Sequence, residues 1–252
     1  MNTDGLQSDV ASVDAGTPGG SATVHWGEID GVSIDFPMVV PKMNTATLTW
    51  SVPLDAAAKL LCGDAFEVAD MGGDTAMLVV ALVDYIDNPW GDYDEANFGL
   101  LVHPVGEPER IGAFQWRMPV NQAMTCKAGN EVLGLPKTVD DLAFTYTDDQ
   151  VTVELAMQGE HALTVTFPRV QAVGEPSVAT TPTYSYIDGR PSVVPLTIQL
   201  PAATVEPTEV ELVLGLAPVA QELRSLGLPR APELVVWGEG LSGTFGHPEA
   251  LD

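Results

Sequence analysis

Apolar and polar positions alternate with period two over Val151, Val153 and Leu155, and again over Leu163, Val165 and Phe167. That spacing predicts strands with one buried face. Denser apolar runs occur at Ala46–Val52 (ATLTWSV), Ala76–Val83 (AMLVVALV) and Phe98–Val102 (FGLLV). They are short and contain many β-branched residues, so they too read as strands. The chain has 24 Gly and 20 Pro, spread almost throughout. Breakers that frequent between short strands predict an antiparallel sandwich or barrel, not an array of parallel strands and helices. Helical spacing is confined to Leu54–Leu61 and to Ala217–Leu226, where Val219, Ala220, Leu223 and Leu226 fall on one face. The expectation is a single mainly-β domain over residues 23–252 with one or two short helices. Residues 1–22 are rich in Gly, Ser, Asp and Thr and read as a flexible acidic arm.

Composition narrows the class of function. A chain of 252 residues with 45% hydrophobic residues has enough apolar material for a core. Ten basic residues against 35 acidic ones give a formal net charge of -25. So acidic a surface is repelled by phosphate backbones and by anionic lipid, so neither nucleic acid nor membrane is an expected partner. No apolar stretch reaches the eighteen or so residues of a spanning helix. The N-terminal segment has neither a basic region nor an apolar one, so it does not read as a secretory signal. Cys62 and Cys126 form no disulfide framework and show no metal spacing, and they are expected to be two reduced, buried thiols of a cytoplasmic protein.

Among motifs, the chain has no Walker loop, no zinc-protease helix and no nucleophile elbow. His25, His103, His161 and His247 are scattered without ligand spacing, so no metal site is expected. Lysine is scarce: Lys42, Lys59, Lys127 and Lys137 are the only four. Lys59 lies in a candidate helix, and Lys127 is read as following a strand. Lys137 ends the apolar stretch Glu131-Val132-Leu133-Gly134-Leu135-Pro136-Lys137. An amine held against a proline and apolar side chains is desolvated, which lowers its pKa and makes it a nucleophile toward carbonyls. Upstream, Asp84–Glu95 (DYIDNPWGDYDE) crowds aromatic and acidic residues between two strand signals. Such a segment is either an exposed acidic turn or a pocket rim with one carboxylate turned inward.

These two segments, in this order and at this separation, resemble the acetoacetate decarboxylase superfamily. Gly91-Asp92-Tyr93-Asp94-Glu95 matches its Gly-x-Tyr-x-Glu loop. Gly129-Asn130-Glu131-Val132-Leu133-Gly134-Leu135-Pro136-Lys137 matches its Gly-Arg-Glu-x-x-x-x-Pro-Lys segment, and Asn121-Gln122 its intervening Asn-Glu turn. The resemblance runs over about residues 36–170. It implies an antiparallel, cone-shaped β-barrel with the lysine in its interior and a habit of homo-oligomeric assembly. It also implies Schiff-base chemistry without a cofactor, in which a protonated imine draws electrons from a neighbouring bond. By carry-over, Lys137 is the nucleophile and Glu95 the active-site carboxylate. Tyr93, Glu131, Asn44 and Thr138 fall at positions around the substrate, Glu131 either touching it or holding the loop.

The departures from the family pattern bear on the substrate. The second of two adjacent lysines is Thr138, the carboxylate-binding arginine aligns with Asn44, and a further pocket glutamate falls within Val79-Val80. Without the arginine's bidentate bonds, a small β-keto acid is a less natural substrate, unless Arg117 or Lys127 substitutes. With no neighbouring cation, the pKa of Lys137 is expected to be lowered by burial alone, against the pull of Glu95. The expected function is imine-forming lyase activity of aldolase, dehydratase or decarboxylase type on a small carbonyl compound. The alternative is a binding protein that uses the barrel as a pocket for an apolar ligand.

Overall fold

The computed structural model describes residues 23–174, 176–200 and 203–251; the expected acidic arm lies outside them. In chain order, β1 (Val24–Ile29) and β2 (Val32–Phe36) form a hairpin, and the long β3 (Met38–Pro53) leads into α1 (Leu54–Ala58). There follow β4 (Phe66–Val68), β5 (Thr75–Asp87), β6 (Tyr93–Pro104), β7 (Gly112–Val120), α2 (Ala123–Leu133) and β8 (Lys137–Val139). Next come β9 (Asp141–Tyr146), β10 (Gln150–Met157), β11 (Glu160–Pro168), β12 (Ser177–Ile187), β13 (Arg190–Leu200) and β14 (Ala203–Thr204). A 3-10 turn at Pro207–Glu209 precedes β15 (Glu211–Leu214), α3 (Pro218–Ser225), β16 (Leu234–Phe245) and β17 (Glu249–Ala250).

Seven strands close into a barrel in the order β3-β5-β6-β7-β12-β13-β16, with β16 returning to β3. Pairing is antiparallel except at β7, which runs parallel to both β12 and β8. It meets β12 at Ala113 and Phe114, and β8 from Met118 to Val120. A second sheet, β15-β11-β10-β9, lies outside the barrel.

Strand parity explains why Ala76–Val83 is apolar at nearly every position. Side chains alternate across a strand. On β3, β5 and β6, Ala46, Leu48, Leu78, Leu82, Phe98 and Leu100 face the second sheet and pack with Val153, Val165, Phe167 and α3. The opposite parity, including Met43, Val83, Tyr85 and Tyr93, faces the barrel interior and packs with α2 and the first hairpin. Within Ala76–Val83 the even positions are buried, Met77, Val79 and Ala81 are half-buried and Val83 is buried, so neither face is left open to water, in keeping with the unbroken apolar run.

The mainly-β expectation holds, with three corrections. There are three α-helices among the described residues, not one or two. The helix expected over Leu54–Leu61 ends at Ala58, with Lys59 as its C-cap, whereas α3 matches the expected Ala217–Leu226 with Ala217 as N-cap. The unforeseen element is α2, which holds Lys127, the residue read as following a strand. Nor are the thiols buried: Cys62 is exposed and Cys126 half-buried.

Candidate active site

Helix α2 and strand β6 bring the two sequence motifs together. Gln122 is the N-cap of α2, its side-chain oxygen accepting from the Thr125 amide at 3.0 Å. Its Nε2 donates to the carbonyls of Trp90 and Asp92, which tie α2 to the start of β6. Asn121 strengthens the tie by accepting from the Asp94 amide and donating to its carboxylate. At the other end Gly134 takes the left-handed conformation (φ 64°) that a helix C-cap of this kind needs. The chain then turns through Leu135-Pro136 into β8. Asn130 clamps Lys137 there: its Oδ1 accepts from the Lys137 amide at 2.8 Å and its Nδ2 donates to the Lys137 carbonyl at 3.0 Å.

The Lys137 side chain runs inward from β8 across Gly129. A Cβ at residue 129 would stand 2.5 Å from Lys137 Cδ and 2.7 Å from Cε, so only glycine leaves room for the lysine stem. Its Nζ lies 2.6 Å from Glu95 Oε2, with both side chains about 5% exposed or less. It also lies 3.4 Å from Thr125 Oγ1 and 5.2 Å from the centroid of the Tyr93 ring. Tyr93 stacks on Tyr85 at 4.4 Å between ring centroids. Glu95 Oε1 accepts from Tyr85 Oη at 3.3 Å and from Asn97 Nδ2 at 3.1 Å.

The pair faces a cavity of about 110 Å³ inside the barrel. Its walls are mostly apolar, among them Met43, Val83, Trp90, Met118, Leu135 and Phe245. Among the described residues that line it, only Lys137 and Glu95 carry charge. Burial pulls the Lys137 ammonium toward the neutral amine, but the Glu95 carboxylate and Tyr93 together outweigh it, and its pKa is raised above 10.5. The expectation of a lowered pKa is thus overturned, because an opposite charge at contact distance outweighs desolvation. Burial likewise pushes Tyr93 up to about 12, against the opposing pull of the Lys137 ammonium.

The other expected positions divide. Tyr93 lines the cavity beside Glu95. Tyr93–Glu95 belongs to strand β6 and not to a loop, so the inward carboxylate is set by strand parity. Asn44 does not reach the cavity. Met43 and Thr45 line it, and Asn44 points to the other face. There it donates to Asp84 and Tyr146 and accepts from the Gly240 amide. Glu131 is exposed on the solvent side of α2, and Thr138 is exposed with its hydroxyl donating to Asp140 at 2.6 Å. The two cations considered as substitutes for the family arginine are also elsewhere. Arg117 pairs with Glu222 of α3 at 2.7 Å, and Lys127 with Asp30 at 2.5 Å.

Sequence reading missed Tyr85, Asn97, Gln115, Thr125 and Asn130. Parity along β6 would have found one of them, since Asn97 shares the face of Tyr93 and Glu95. The others depend on contacts across strands or on α2, which carries a weak sequence signal.

The acetoacetate decarboxylase (ADC) family model matches residues 25–249, most of the chain. No curated relative matches. Among solved structures, acetoacetate decarboxylase from Legionella pneumophila is similar at a TM-score of 0.66 and 12% identity, covering 100% of this chain and 98% of that one. An acetoacetate decarboxylase-like enzyme from Sphingomonas wittichii RW1 has a TM-score of 0.63 and 14% identity, covering 90% and 98%. The enduracididine biosynthesis enzyme MppR complexed with pyruvate has a TM-score of 0.57 and 15% identity, covering 86% and 90%. At these identities the structures establish a shared fold, and the family match establishes membership: the chain belongs to the acetoacetate decarboxylase family.

Proposed function

We propose that this member of the acetoacetate decarboxylase family is a lyase that joins Lys137 to a ketone or aldehyde as a Schiff base. The observation that carries the reading is the buried contact of 2.6 Å between Lys137 Nζ and Glu95 Oε2 on the wall of an apolar cavity. An ammonium is no nucleophile, so the proton must leave Nζ before attack. Glu95 is placed to take it. The products, an amine and a carboxylic acid, are both neutral, and filling the cavity with substrate favours a neutral pair over a charged one.

The amine then adds to the carbonyl carbon. Glu95 returns its proton to the carbinolamine oxygen, which leaves as water, and a protonated imine remains. That cation draws the electrons of a neighbouring bond, and loss of carbon dioxide, of water or of a carbonyl fragment follows. Hydrolysis of the imine releases product and restores Lys137. Tyr85 and Asn97 donate to Glu95 and hold it in position for both proton transfers. Homo-oligomeric assembly is part of the same proposal, and light scattering at several concentrations reads it.

The test is reductive trapping. The protein is incubated with small carbonyl compounds and borohydride, weighed intact and mapped by peptides. A stable adduct confined to Lys137, absent from Lys137→Met, is the expected result. A second reading, a pocket that binds an apolar ligand without reacting, draws on the raised pKa of Lys137. An unmodified Lys137 with every carbonyl compound selects it.

A further inference from the structure

Among the described residues, no group satisfies two buried acceptors of the Lys137 cavity. Asn97 Oδ1 and Gln115 Oε1 each lack a hydrogen-bond partner, and both residues line the cavity. The Asn97 amide is fixed in orientation, because its Nδ2 donates to Glu95 Oε1 at 3.1 Å. Its carbonyl is therefore turned away from the catalytic pair. Gln115 lies on β7 opposite Gly99 of β6. A Cβ at Gly99 would stand 3.4 Å from the Gln115 amide nitrogen, so the missing side chain gives that amide its space. Residues 115–117 fall between the stretches of β7 that pair with β12 and with β8.

A buried acceptor without a donor has lost its water and gained nothing in return, and a substrate hydroxyl would satisfy it. A substrate carboxylate would do the reverse. It brings two more acceptors to a place that already has two unmet ones. It also puts a second negative charge beside Glu95. The charges of Lys137 and Glu95 sum to zero, and Lys137 remains a single cation as a protonated imine. A bound carboxylate would leave the cavity with one uncompensated buried charge.

We infer that the substrate is an uncharged, largely apolar carbonyl compound with a hydroxyl group, and that Asn97 and Gln115 are specificity-determining residues that accept from it. The inference rests on the Schiff-base reading of Lys137. It adds the polarity, charge and donor pattern of the molecule attached there.

Three methyl ketones of equal chain length test it: a terminal hydroxyketone, the plain alkyl ketone, and levulinate, the corresponding keto acid. Each is titrated in the borohydride trapping assay and the adduct on Lys137 is counted by mass. The hydroxyketone should half-saturate at a concentration about 2–10-fold below the alkyl ketone, the worth of one neutral hydrogen bond. Levulinate should be at least about tenfold weaker than either, the effect of one uncompensated buried charge. Gln115→Leu, which leaves the donors to Glu95 untouched, should lose part or all of the hydroxyl advantage and still trap the alkyl ketone, which also reports an intact cavity. Levulinate trapped as well as the hydroxyketone overturns the inference and leaves the imine standing, as does a hydroxyketone no better than the alkyl ketone. No adduct from any of the three overturns the imine. Ligand-observed NMR with the same three compounds then decides the preference separately: hydroxyketone first supports it, and levulinate first overturns it.

Discussion

Lys137 Nζ and Glu95 Oε2 meet at 2.6 Å inside the barrel, one delivered by β8 and the other by β6. Strand β7 runs between those two strands, antiparallel to β6 and parallel to β8. The ammonium is thus desolvated and paired at once, and the pairing decides its protonation. Glu95→Gln removes the pairing and keeps the burial. The pKa of Lys137 should then fall from above 10.5 to below it, by up to roughly 3–5 units at full burial. The rate of Lys137 acylation by a small reagent, followed against pH, reads the shift. Acylation at neutral pH should rise in Glu95→Gln while imine turnover falls, because the variant has a free amine and no base. An unchanged acylation profile would mean that Glu95 does not set the protonation of Lys137.

Thr138→Lys tests whether a second lysine at the family position can act on the first. Thr138 is exposed and its hydroxyl bonds Asp140, so a lysine there extends into solvent beside a carboxylate. The titration of Lys137 should not move, and stability should change by no more than about 0.5 kcal/mol. A downward shift of the Lys137 profile in this variant would show that the new ammonium reaches the cavity.

The same parity marks where the sequence was readable. Apolar runs located three of the barrel strands, β3, β5 and β6, alternation located β10 and β11 of the second sheet, and the spacing of Val219, Ala220 and Leu223 located α3. The paired motifs located Lys137, Glu95 and Tyr93. Asn44 went astray because a match to a distant family carries a one-residue uncertainty, and one residue on a strand reverses the face. Helix α2 stayed hidden for a different reason. Its buried face is built from Thr125, Ala128, Gly129, Val132 and Leu133. Three of these are small or polar, because the lysine stem and the barrel wall approach closely there, so the apolar period is faint. The net rise in the Lys137 pKa could not be read from sequence at all, since its sign rests on a contact distance.

Asp94 offers a test of the outer face of β6. It stands opposite Asp84 across the β5–β6 ladder. Burial, with the Asp84 charge adding to it, pushes its carboxyl up to about 7. The folded-state pKa is above the value of about 4 in an unfolded chain, so the folded state holds this proton more tightly. That contribution to stability is complete below pH 4 or so and is lost as pH rises through about 7. Asp94→Asn keeps the shape and removes the charge. It should be more stable than wild type by about 1–2 kcal/mol at pH 8, a figure reduced for partial exposure, and nearly equal at pH 4. Thermal unfolding of both proteins from pH 4 to pH 8 measures the difference. Parallel curves would show that Asp94 titrates normally.

Gly129→Ala separates the placement of Lys137 from the stability of the fold. Gly129 is buried on α2, in ordinary helical backbone, so alanine there is free of strain and gains about 1 kcal/mol in helix propensity. Its new methyl group would stand 2.5 Å from Lys137 Cδ, 2.7 Å from Cε and 3.2 Å from Cγ. The lysine stem is a flexible side chain and the helix is packed against the barrel, so the stem is the part that moves. Moving it draws Nζ away from Glu95 and out of line with a bound carbonyl. Misplacement of a reacting group by about 1 Å can cost on the order of 100-fold in rate. The expected outcome is a melting temperature within a few degrees of wild type, together with a rate of imine trapping at least about tenfold lower. The rate should be measured at saturating ketone, so that a change in binding is not read as a change in placement. Trapping at the wild-type rate would show that the methyl group is accommodated without moving Nζ. A large loss of stability would show that α2 gives way instead of the lysine.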